Sequence, residues 1–193
     1  LFLVEQAKPR VMLAMSNDHQ LSVKAYTDYS DLDADGDIDI TYLDSYAYSG
    51  YFDNGKCYLY DATDGRFEPD GTASGTNGHT CNGPGDSNQW SGNFLNWATM
   101  TRMDIIRHVL YGGKRSTDSS SVTVLERAML PDDVHAFVKT YGGSDIDDLT
   151  PYNVSNISIC NLTPETTGLS GATADAPVIR VADGDYPRWA AQE

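Results

Sequence analysis

Basic residues are scarce in this chain: Lys and Arg number 13 against 28 Asp and Glu, for a formal charge of −15. That deficit excludes nucleic acid as a partner, because binding it requires a cationic surface that displaces counterions. Anionic membrane surfaces are disfavoured for the same reason. Long apolar runs are also missing; no stretch approaches the roughly 18 residues that a spanning helix needs, so membrane insertion is not expected. The three cysteines, Cys57, Cys81 and Cys160, contain no C-x-x-C pair, which removes zinc ribbons, thioredoxin-like chemistry and c-type haem attachment. Cys57 and Cys81 flank a Gly/Asn/Thr-rich stretch and can close a surface loop by a disulfide; three thiols of a reduced protein are the alternative. In the disulfide reading Cys160 is left over, with a partner expected beyond Glu193 in a longer protein.

Catalytic signatures are equally sparse. His19, His79, His108 and His135 are scattered, and there is no H-E-x-x-H, no G-x-S-x-G and no phosphate-binding loop. The aspartates bunch in one loop, which suits a cation better than the two opposed carboxyl groups of a glycosidase. A non-catalytic protein is expected.

What is present can build a core: 193 residues, 40% hydrophobic, with 12 Tyr and 3 Trp. The pattern predicts a strand over 8–15 and a second short run over 21–27. Residues 40–60, crowded with Tyr42, Tyr46, Tyr48, Tyr51, Phe52, Tyr58 and Tyr60, read as short strands with turns at Gly50 and Asn54-Gly55. Residues 61–88 read as a long Gly/Thr-rich surface loop. Apolar residues at helical spacing predict one long helix over about 92–111, capped by Ser91 and stopped at Gly112-Gly113. A short apolar segment over 122–130, a helix from Pro131 to Tyr141, and strands over 154–162 and 178–182 complete the chain. The expected fold is therefore α/β or α+β, a mixed β-sheet packed against the long helix. Asn153, Asn156 and Asn161 each open an N-x-[ST] triplet, an indication of polar strand-edge surface.

The densest local signal is Asp31-Leu32-Asp33-Ala34-Asp35-Gly36-Asp37-Ile38-Asp39. Alternate carboxylates at Asp31, Asp33 and Asp35 can converge on one ion, Gly36 permits the turn that brings the Asp37 carbonyl inward, and Asp39 takes the ninth position. The twelfth position holds Tyr42 where an EF-hand has Glu, and the flanks read as strands, so this is a calcium loop outside an EF-hand. Asp28 or Asp44 is expected to complete the shell. Five carboxylates this close repel one another unless a cation joins them. Ca2+ is the expected cofactor.

Several segments stand out together: Lys8 to Leu21, the run from Tyr26 to Tyr42, Gly50-Tyr51-Phe52-Asp53, Lys56-Cys57-Tyr58 and Gly65 to Pro69. The most specific are Trp90-Ser91-Gly92-Asn93-Phe94-Leu95-Asn96-Trp97 and Arg102-Met103-Asp104-Ile105-Ile106-Arg107 through Gly113, continued by Val124 to Ala128 and Pro131 to His135. In this order they resemble the N-terminal region of PilY-type proteins, the tip-associated adhesins and assembly factors of type IV pili. The resemblance implies a single N-terminal module, 1–193, of a longer protein whose C-terminal β-propeller is absent from this chain. It further implies an extracellular adhesion or assembly module at the tip of a type IV pilus or the outer surface of a bacterium. Pilin or minor pilins would be its partners, with a host or abiotic surface ligand left unspecified. Some members carry a von Willebrand A domain, whose first strand ends in D-x-S-x-S; here residues 11–15 end in Ser16-Asn17-Asp18-His19-Gln20, so at most a degenerate von Willebrand A-like domain is expected. A structural subunit or coat of an extracellular filament, with the aromatic segment forming its contacts, is the alternative.

Overall fold

The computed structural model describes residues 12, 14, 18–82, 88–130, 135–164 and 176–189. The chain runs through β1 (Lys56–Asp61), β2 (Arg66–Thr72), β3 (Trp90–Ser91), α1 (Gly92–Thr99), α2 (Arg102–Tyr111), β4 (Arg115–Asp118), β5 (Thr123–Leu125), β6 (Phe137–Tyr141), α3 (Ile146–Leu149), β7 (Ile157–Leu162) and β8 (Val178–Asp183). Three small sheets result, ordered β2-β1-β3, β4-β5 and β6-β7-β8. Every pairing between these strands is antiparallel, so a mixed α and β class holds while the von Willebrand A-like expectation finds no support among the described residues.

The expected long helix is two helices. Met100 leaves the helical path with an extended backbone (ψ 140°), and its carbonyl accepts the Ala25 N–H at 2.9 Å. Arg102 N–H then reaches Val23 O at 3.0 Å, and Lys24 bridges to Thr101. The second helix starts afresh from Thr101, whose hydroxyl accepts from Asp104 N–H while the Asp104 carboxylate accepts from Thr101 N–H, a reciprocal cap. Apolar residues recur at helical spacing on both sides of the break, so periodicity alone does not reveal it; in α2 only Met103 and Asp104 are buried, and Val109 and Leu110 of the expected stripe are exposed.

Other expectations shift in the same way. Residues 61–88 are not one loop, because β2 pairs with β1 from Asp61↔Arg66 to Lys56↔Thr72. The turn between them is built by Asp61, whose carboxylate accepts the N–H groups of Thr63 (2.7 Å) and Asp64 (3.2 Å). The helix expected over 131–141 is instead strand β6 in its second half, paired to β7; residues 131–134 lie outside the described residues. Phe137-Val138-Lys139-Thr140-Tyr141 is rich in aromatic and β-branched residues, which favour a pleated surface over a helix. The strand expected over 21–27 is a short 3₁₀ turn (His19–Leu21) followed by an isolated bridge at Lys24. The strand expected over 8–15 falls almost wholly outside the described residues. The strands over 154–162 and 178–182 are present as β7 and β8, with β7 buried along its whole length. Asn161 is accordingly no surface acceptor: it is buried on β7, donates to Ala98 O (2.9 Å) and accepts from Arg127 (2.7 Å).

All eight residues of α1 are buried. Its Phe94, Leu95, Trp97 and Ala98 share one core with Tyr42, Tyr48, Tyr58, Trp90 and the β7 residues Ile157 and Ile159. Residues 42–55 contain no strand, so their backbone groups need partners from elsewhere. Two asparagines of α1 supply them. Asn93 accepts from Tyr48 N–H (2.8 Å) and donates to Tyr46 O (3.0 Å) and the Tyr42 hydroxyl (3.0 Å). Asn96 accepts from Phe52 N–H (3.1 Å) and donates to Tyr48 O (2.9 Å) and Phe52 O (2.8 Å). Gly50 is needed for this approach, since a Cβ there would stand 2.1 Å from the Asn96 side-chain oxygen. The expected Cys57–Cys81 disulfide is present, with a Cα–Cα distance of 5.5 Å, and it fastens the segment after β2 to β1. Cys160 is a buried free thiol on β7.

Replacing Asn96 by Leu strands one donor and two carbonyls, at about 1–3 kcal/mol for each buried unpaired group. Urea unfolding of Asn96→Leu is therefore expected to show a loss of at least about 3 kcal/mol, and a loss under about 1 kcal/mol would contradict this account. Alkali provides an independent check. Burial drives the phenols of Tyr42 and Tyr48 well above the usual 10, and raises Tyr26 to about 12. Their folded values exceed the unfolded one, so the stability they contribute is intact below pH 10 and is lost as pH climbs above it. Lys139 works oppositely: burial pulls it from 10.5 to about 8, so its deprotonation favours the folded state between those values and adds no slope above them. Above about pH 10.5 stability should thus fall by roughly 1.4 kcal/mol per pH unit for each fully coupled tyrosine. Tyr29, Tyr60, Tyr111, Tyr152 and Tyr186 are exposed, so only part of the tyrosinate absorbance should wait for the loss of tertiary circular dichroism; complete ionisation of all twelve tyrosines in a still-folded protein would contradict the burial.

Candidate metal centre

The Asp loop leaves the core at Asp28 and returns to it at Tyr42. Asp28 has a left-handed backbone (φ 61°), which Asp tolerates better than most residues and which turns the chain outward. Asp39 N–H bonds to Ser30 O at 3.1 Å and closes the base of the loop as a single antiparallel bridge. Leu32 N–H donates to the Asp39 carboxylate at 2.7 Å.

Inside the loop the aspartates organise their own backbone. The Asp31 carboxylate accepts from Asp35 N–H (3.2 Å) and Gly36 N–H (3.0 Å). Asp33 accepts from Asp35 N–H at 3.3 Å, and Asp35 accepts from Asp37 N–H at 2.8 Å. Gly36 (φ 98°) sits in a region that β-carbons disfavour, which explains glycine at the sharpest point of the turn.

Of the five expected ligands, Asp31, Asp33 and Asp39 bring carboxylate oxygens within 4.8 Å of one another. Asp35 and Asp37 lie outside that group, and both are exposed. Asp28 and Asp44 do not complete a shell. Asp28 faces inward to Lys139 at 2.7 Å and to the Trp97 indole N–H at 3.0 Å. Asp44 accepts from Asn77 (2.7 Å) and the Tyr42 hydroxyl (3.2 Å). The donor chemistry suits a hard cation: three carboxylates converge on a backbone already turned, supplying part of the six to eight oxygens calcium takes.

A second acidic group, Asp61, Asp64 and Glu68 at the β1–β2 hairpin, was not expected from sequence because its members come from two strands and a turn. It already has its own cation. The Arg66 guanidinium lies 2.7 Å from both Asp64 and Glu68.

The aromatic segment is also reassigned. Tyr42 and Tyr48 are 4% and 0% exposed, so their rings stack inside the core and are not free for contacts along a filament. Tyr60, at the end of the segment, is 54% exposed and stays at the surface.

A family model described as PilY1 homolog, small alpha/beta domain, matches residues 39–182, so its match begins at the last aspartate of the loop. A type IV pilus biogenesis factor PilY1 homolog of Xylella fastidiosa (strain Temecula1) is 39% identical over 185 residues, covering 92% of this chain and 12% of that protein. A second PilY1 homolog of that name from the same organism is 38% identical over 94 residues, 47% of this chain and 8% of the relative. The chain thus spans 12% or less of the length of these curated relatives. No solved structure matches it.

Proposed function

The chain belongs to the PilY1-homolog family, and from that membership we propose that it is a calcium-stabilised, non-catalytic module of a type IV pilus biogenesis factor, working outside the cell in adhesion or pilus assembly. The observation that carries this reading is the similarity to a type IV pilus biogenesis factor along 92% of the chain. The disulfide Cys57–Cys81 supports an oxidising compartment and hence secretion to the pilus tip or outer surface. No described helix is long and apolar enough to cross a membrane. Pilin or minor pilins are the proposed partners.

In this reading Asp31, Asp33 and Asp39 hold Ca2+, joined by Asp35 and the carbonyl of Asp37. The ion would offset two of the five negative charges of the loop, and the protein's own groups do the rest: Asp31 holds the turn through Asp35 and Gly36, and Asp39 ties the two arms together. The role of the metal is structural, since nothing in the loop offers a nucleophile or a general base opposed to it.

Calcium at about 100 times its dissociation constant is expected to add about 2.7 kcal/mol of stability. Thermal unfolding should therefore shift down clearly in excess chelator, and the triple variant D31N/D33N/D39N should lose that calcium response. A melting curve indifferent to chelator would remove the calcium claim. For the wider role, a piliated bacterium whose own family member is replaced by one lacking the segment equivalent to this chain should show fewer surface pili or weaker attachment. Normal piliation and normal attachment together would overturn the adhesion or assembly role.

A further inference from the structure

Lys139 is the least expected residue of the core, an ammonium on β6 with a side chain only 1% exposed. It contacts both carboxylate oxygens of Asp28 at 2.7 Å and donates to the Tyr26 carbonyl. Its Nζ lies 4.4 Å from the centroid of the Trp97 ring, in cation–π geometry. Trp97 in turn donates its indole N–H to Asp28 at 3.0 Å, and Lys24 stands 3.5 Å from the same carboxylate. Asp28 is the residue at which the chain turns into the Asp loop. The exit of that loop is held by the same indole: the Tyr42 ring lies 5.7 Å from the Trp97 ring, and Tyr42 is buried. Entrance and exit thus rest on one rigid platform made of a helix residue and a strand residue, although the two ends are far from β6 in sequence.

We infer that Lys139, acting through Asp28 and Trp97, is a positioning residue for the cation loop, holding its two arms at the separation that lets Asp31 and Asp39 face one ion. The inference rests on the calcium reading above. A loop whose ends are fixed in advance loses less conformational freedom on binding, so affinity depends on the clamp even though none of its members touches the ion. By reciprocity, calcium must act back on the clamp.

Isothermal titration of the folded protein with CaCl2 tests this. Lys139→Met and Asp28→Asn are each expected to weaken calcium binding about tenfold. Leu130→Ala, a core substitution outside the platform, should lower the melting temperature while leaving calcium affinity unchanged. The wild-type protein supplies a readout that needs no variant to fold: the Trp97 indole N–H resonance should move during the titration while that of Trp90 stays in place. Calcium binding by the wild type, with unchanged affinity in the clamp variants or an unmoved Trp97 resonance, overturns the clamp alone. No calcium binding by the wild type overturns the clamp and the calcium reading together.

Discussion

The fold depends on a helix that is buried on every side. A helix usually shows one face to solvent; α1 shows none, and so its polar side chains must be useful to something other than water. Asn93 and Asn96 hydrogen-bond the backbone of residues 46–52, a segment with no strand partner of its own. The amides do for that segment what a neighbouring strand does elsewhere. This lets a tyrosine-rich stretch pack rings at close range, Tyr42 against Tyr48, Phe94, Trp97 and Tyr141, without the regular spacing of a sheet.

The same helix connects the core to the acidic loop. Trp97 meets the core with one part of its ring system and Asp28 with its N–H. Burying a lysine and an aspartate is costly unless each has a close partner. Here each has one, and the pair is additionally covered by an aromatic face. A buried ion pair of this kind is weak evidence for stability; its place is at Asp28, where the chain turns into the loop.

Belonging to the PilY1-homolog family links this arrangement to proteins described as type IV pilus biogenesis factors, of whose length the chain spans 12% or less.

Local chemistry was readable from the residues alone. The Asp loop with Gly36 at its sharpest point, the Ser91 cap, the Gly112 stop and the Cys57–Cys81 pair each depend on a few neighbouring positions or on a single spacing. The family resemblance, too, came from ordered short motifs such as Trp90 to Trp97. What the residues did not disclose were the contacts that join distant segments. Helix periodicity continues smoothly through Met100, and only pairing with Val23 and Ala25 interrupts it. Phe137–Tyr141 follows a proline and two acidic residues that suit a helix start, yet β7 draws it into a sheet. Asp28, one of the two residues expected to complete the ion's shell, faces Lys139, a residue more than a hundred positions away. Turns and caps are decided by interactions within a few residues, which a sequence displays directly; helix breaks, strand partners and the destination of a buried charge are decided by whatever the folded chain brings alongside.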